Sequence, residues 1–157
     1  HPAISARIAD TALRRLRCDN ATRERVITLV ENHEMRTGHG KKDLRRLLAK
    51  IGEESMRDLL LVRRADAAAH APEAAARLTA LAGEDERLLN EIVAERGCLH
   101  VKDLAVSGND LLALGLKPGS AVGETLARLL DRVLDEELPN EKEALLTAAR
   151  KEIQEHE

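Results

Sequence analysis

Residues 98–132 read CLHVKDLAVSGNDLLALGLKPGSAVGETLARLLDR, and the fold turns on what this stretch becomes. Leu111, Leu112 and Leu114 give a short helix its apolar side, with Ser107 as its N-cap and Gly115 as its stop. Lys117-Pro118-Gly119-Ser120 then opens a longer helix in which Val122, Leu126, Leu129, Leu130, Val133 and Leu134 recur at three and four. The pattern is a helix-hairpin-helix. Gly119 has no side chain, so a ligand can approach the free N–H groups of Ser120 and its neighbours, where the helix dipole favours an anion. A nucleic-acid phosphate suits such a site, and Lys102 and Lys117 flank it. A plain helix corner, in which Leu116 packs and the glycines only permit the bend, fits the same spacing.

Upstream, the periodicity predicts further helices. Ile4, Ile8, Ala12, Leu13 and Leu16 define an apolar face from about residue 3 to 17, and Asp19-Asn20 is the break after it. Asn20 or Thr22 starts a second helix with Val26, Ile27, Leu29, Val30 and His33 on its stripe. Thr37-Gly38-His39-Gly40 is a loop. A third helix with Leu44, Leu47, Leu48 and Ile51 is closed by Gly52, and a fourth runs from Glu53 through Met56, Leu59, Leu60 and Val62 to about His70, before Pro72. Residues 73–96 form the longest helical pattern, with Gly83 as a point of division. Pro139-Asn140 separates a last helix, Glu141 to about Glu155. No segment alternates long enough to build a sheet. The expected architecture is all-α, in three parts. A helical body spans 1–70, a connecting helix or helices 71–97, and a helical tail with the hairpin 98–157.

Composition narrows the chemistry. The chain has no Phe, Tyr or Trp, so its core is aliphatic and it has no aromatic platform for a nucleobase. RNA would have to be held by phosphate, sugar and shape. Residues 1–70 carry 15 Lys and Arg against 10 Asp and Glu, net +5, while residues 71–157 carry 10 against 18, net −8. A polyanion meets the first part more readily. No apolar run approaches the roughly 20 residues of a membrane span, and no signal-peptide pattern opens the chain. Cys18 and Cys98 form no metal-type pair and fit a reducing cytoplasm.

Walker, dinucleotide and nucleophile-elbow motifs are missing. Two sets of residues remain. Arg36, Lys41, Lys42, Arg45 and Arg46 surround a glycine loop leading into a helix and suit sequence-independent phosphate contact; a solvated basic face is the plainer reading. His1, His33 and Asp66 fall at helical spacings from Ile4, Val30 and Leu59, which predicts that all three point inward. Inward His and Asp side chains can hold a metal. A His–Asp hydrogen bond, or Asp66 paired with an arginine, fits the pattern too.

The run CLHVKDLAVSGNDLLALGLKPGSAVGETLARLLDRVLDEELPNEKEALL, with its elements KDLAVSGNDL, LGLKPGSAVGE and ELPNEKEALL, resembles the C-terminal tail of bacterial CCA-adding tRNA nucleotidyltransferases, in the wider poly(A) polymerase family. HPAISARIADTALRRLRCDNATRERVITLVENHE, followed by LVRRADA, resembles the HD-type helical region that precedes that tail. The resemblance implies an all-helical body and tail that hold tRNA at its acceptor arm and elbow, with catalysis in an N-terminal head. Nothing here resembles the head's paired aspartates, so the expectation is a fragment that is inactive alone. Mg2+ and CTP or ATP would belong to the missing head only.

On the tail motif fall Lys102, Asn109, Lys117, Gly119 and Gly123, beside Ser120; on the HD-like positions fall His1, His33 and Asp66. Glu34 stands where HD-like relatives often carry Asp, and the upstream His-Asp pair that would complete such a site would lie before the first residue, so an active phosphohydrolase is not expected in this fragment. A degenerate HD-type metal-dependent phosphohydrolase domain is the alternative function. A third reading takes the Leu-rich helices 120–137 and 141–155 as a homodimer surface.

Overall fold

The structure, a computed structural model, describes residues 2–33, 40–95 and 97–155. Among them are seven α-helices and no strand: α1 (Pro2–Arg15), α2 (Asn20–Asn32), α3 (Lys41–Ala68), α4 (Pro72–Ala94), α5 (Gly108–Ala113), α6 (Ser120–Leu134) and α7 (Lys142–Glu155), with a 3-10 turn at Val101–Asp103. The protein is all-α. The chain falls into two compact units, His1–Glu91 and Ile92–Glu157, and each is taken by itself.

In the first unit α1 packs on α2 and α2 on α3. Asp19 caps α2, accepting from the Thr22 N–H at 2.9 Å and its hydroxyl at 2.6 Å. Arg25 then reaches from α2 to Asp58 (2.5 Å) and Glu54 (2.7 Å) on α3. Gly52, at φ 78° and ψ 164°, breaks the helical path of α3, so α3 is two arms that meet where the sequence places a stop and a fresh start. Leu44, Leu47 and Leu48 are buried from one arm, and Met56, Leu59 and Leu60 from the other. Arg57, Arg63 and Arg64 of α3 face Asn90, Asp85 and Glu86 of α4. Gly83 does not divide α4, which continues through it.

The face expected to be buried on α1 is not. Ile4, Ile8 and Leu16 are 50%, 65% and 73% exposed, and the buried residue of this helix is Ala6, with Leu13 half-buried. Val62, expected on the apolar side of its helix, is likewise exposed.

The second unit has one aliphatic core. Cys98, Leu104, Val106, Leu111, Leu129, Val133, Leu145, Ala148 and Ala149 form it, and Leu114, Leu116, Val122 and Leu126 pack against it. Burial pushes the Cys98 thiol up to about 11, helped by the Asp103 charge, which keeps it protonated and inert. Asn140 is a clasp: its side-chain oxygen accepts from the Ala105 N–H (2.8 Å) and its amide donates to the Asp103 carbonyl (2.9 Å). The loop before α5 is thereby tied to the start of α7.

Candidate nucleic-acid interface

The hairpin is built by two helix ends that meet across Gly115 to Gly119. Leu114 closes α5, and Gly115, at φ 99°, reverses the chain while its N–H bonds to the Leu112 carbonyl at 3.0 Å. Leu116 tucks against the core, its N–H on the Leu111 carbonyl at 3.2 Å. Lys117, Pro118, Gly119 and Ser120 are all exposed. Gly119 takes φ 144° and ψ −160°, a conformation closed to other residues, and nothing stands within 4 Å of where a Cβ would be.

The starts of α5 and α6 differ in electrostatics. Asp110, in the first turn of α5, accepts from the Ser107 N–H at 2.8 Å and from its hydroxyl at 2.6 Å, with Lys142 beside it at 2.7 Å. The positive end of α5 is therefore met by the protein's own carboxylate. α6 has no side-chain cap and no acidic residue in its first turn. Its leading N–H groups sit at an exposed, glycine-bared turn beside Lys117, which is the geometry an oxyanion needs.

The other tail residues singled out by sequence, Lys102 and Asn109, are exposed in the 3-10 turn and in α5. In the first unit, Lys42 and Arg46 are exposed and Lys41 and Arg45 half-buried at the start of α3, and each already has an interaction partner. Arg36 lies outside the described residues.

The inward orientation expected of the HD-like residues is not observed. Asp66 is 77% exposed and faces His70, one turn on, at 3.5 Å. His33 is exposed at the end of α2 with its Nδ1 on the Val30 carbonyl at 2.6 Å. The reason is register: the buried stripe of this arm runs Met56, Leu59, Leu60, Arg63 and Ala67, leaving Asp66 on its margin. His1 lies outside the described residues. Among the described residues no three His, Cys, Asp or Glu side chains come together as a metal site.

One feature escaped the sequence reading. A groove of about 700 Å³ adjoins the hairpin, lined by residues of the turn, of α6 and of α7. Within it Arg128 of α6 bonds to Glu152 of α7. Partners 24 residues apart carry no sequence signal until the two helices are packed.

The family model for tRNA nucleotidyltransferase domain 2 matches residues 3–149. The chain belongs to that family. Matches to individual proteins are shorter. The CCA-adding enzyme of Lacticaseibacillus paracasei is 38% identical over 65 residues, covering 41% of this chain and 16% of that enzyme. The CCA-adding enzymes of Latilactobacillus sakei and Limosilactobacillus fermentum are 48% and 43% identical over 48 and 47 residues, or 31% and 30% of this chain and 12% of each enzyme. The chain thus matches less than a fifth of the length of these relatives of the tRNA nucleotidyltransferase family. No solved structure matches it.

Proposed function

We propose that this chain is a tRNA-binding body-and-tail module of a CCA-adding enzyme, gripping the acceptor arm and elbow by backbone and shape. Nucleotide addition belongs to a separate catalytic head, and the chain is inactive by itself. The observation that carries the reading is the bared start of α6, where Gly119, at φ 144°, opens a helix of 15 residues with no side-chain cap. Membership of the tRNA nucleotidyltransferase domain 2 family supports tRNA as the polyanion. With no aromatic residue in the chain, affinity rests on Lys117, Lys102 and helix-terminal N–H groups, with Lys41, Lys42, Arg45 and Arg46 as a second contact region.

Filter binding of this protein to a tRNA transcript across a salt series tests the reading. Affinity should fall at least about tenfold between roughly 50 and 200 mM salt, as expected when several phosphates are contacted. Lys117→Glu with Gly119→Val should weaken binding further while the protein stays folded. Salt-independent affinity, or normal binding by the folded double variant, would overturn it.

A further inference from the structure

The groove beside the hairpin holds a flat cation fixed in place. Arg128 Nε donates to Glu152 Oε2 at 3.0 Å, and Arg128 Nη2 donates to Thr125 Oγ1 at 3.0 Å. The N–H bonds of a guanidinium lie in its plane, so these two contacts hold the group from its Nε–Nη2 edge and set its orientation. The partners are firmly seated: Thr125 is 2% exposed and the Glu152 side chain 17%, and Arg132 Nη1 also reaches Glu152 Oε1 at 3.6 Å. The Arg128 side chain itself is 46% exposed.

The groove's charge and walls restrict what it can take. Lys117 and Arg128 are balanced by Glu124 and Glu152, so it is a poor channel for a string of phosphates. Its apolar lining includes Leu116, Ala121 and Ile153, which suits an uncharged ring. RNA-binding proteins stack unpaired bases on aromatic rings or on guanidinium planes, and this chain has no aromatic ring.

We infer that the groove receives one unpaired nucleobase of the bound RNA, stacked on the Arg128 guanidinium, with the exposed Glu124 carboxylate accepting from the base's N–H edge. This rests on the RNA-binding reading above and adds to it a base-specific contact. Guanine, with two adjacent donors, suits a carboxylate best; uracil, with one donor between two carbonyls, suits it least.

Methyl-resolved NMR of the wild-type protein with millimolar GMP, UMP or ribose 5-phosphate tests the assignment without any variant. GMP should shift the methyl signals of Leu116, Ala121 and Ile153, UMP should shift them less, and ribose 5-phosphate should leave them in place. Arg128→Lys keeps the charge and loses the plane; it should suppress the GMP response and weaken tRNA binding about fivefold or more, the worth of one stacked base. Ribose 5-phosphate acting like GMP, no response to GMP, or wild-type behaviour of Arg128→Lys would overturn the stacking. Equal responses to GMP and UMP would overturn the Glu124 contact. Hairpin-dependent tRNA binding with a silent groove would sink this inference alone, whereas loss of all tRNA binding would sink the reading beneath it.

Discussion

Lys142 Nζ stands 2.7 Å from Asp110 Oδ1, so the first residue of α7 closes on the first turn of α5. With the Asn140 clasp, this contact ties the start of α7 to α5 and to the loop before it. It also fills one of the two helix starts in the hairpin motif with the protein's own charge and leaves the other open.

Asp110 makes the tail's stability sensitive to acid. Its bonds to Lys142, then to the Ser107 hydroxyl and N–H, hold its carboxyl well below the usual carboxylate range. A folded pKa below the unfolded one means the contribution is whole above about pH 4 and is lost as pH falls through the folded value. Asp110→Asn should therefore melt earlier than wild type near neutral pH, with the difference closing in strong acid. Circular-dichroism melts across that range check this; a constant difference would contradict it.

Backbone sign should decide the outcome of four substitutions. Gly52 and Gly119 sit at φ 78° and 144°, whereas Arg17 and Glu136 are non-glycine residues at φ 57° and 60° just past α1 and α6. Gly52→Ala and Gly119→Ala should each cost about 1–3 kcal/mol. Arg17→Gly and Glu136→Gly should be neutral or stabilising by up to about 1 kcal/mol, since each relieves a left-handed residue at a helix end. Denaturant midpoints would show the two signs.

Gly108 and Val122 set how closely α5 approaches α6. A Cβ at Gly108 would meet Val122 Cγ1 at 3.1 Å. Gly108→Ala should be better tolerated when Val122→Ala is also present, with a coupling of about 0.5–1 kcal/mol in a double-mutant cycle. Additive effects would mean that the approach has slack.

Arg63 and Asp85 form an ion pair in the first unit, at 3.7 Å with side chains 7% and 0% exposed. Burial lowers the Arg63 pKa, and the Asp85 charge opposes that shift. Asp85→Ala should destabilise by about 3 kcal/mol or more, because it strands a buried guanidinium. Arg63→Met with Asp85→Leu should cost less than Asp85→Ala alone. Urea unfolding of the three variants decides this.

Much of this fold is legible because its signals are local. Ser107 is followed at three residues by Asp110, Gly52 breaks a leucine repeat, and Gly115 and Gly119 bracket a turn. Each constrains its own few residues, and the structure has a cap, a kink and a hairpin there. Ile4 and Ile8 mislead because periodicity reports that a stripe exists and not what covers it; both are exposed. Asp66 misleads because Leu59, from which it is placed, lies at the edge of the buried stripe, and a step of seven residues carries it roughly 20° further out. In the candidate site, the exposed turn and its lysine could be read from the sequence, whereas the Arg128–Glu152 and Asn140–Ala105 partnerships could not, being products of packing.

The central claim, that RNA phosphate sits on the bared start of α6, is tested most directly by following backbone amide signals as tRNA is added at low salt. The amides of Ser120 and Ala121 should shift or broaden strongly and recover as salt is raised, while those of Gly108 and Asn109, behind the Asp110 carboxylate, should change little. Bound tRNA that leaves Ser120 and Ala121 unperturbed would contradict the account.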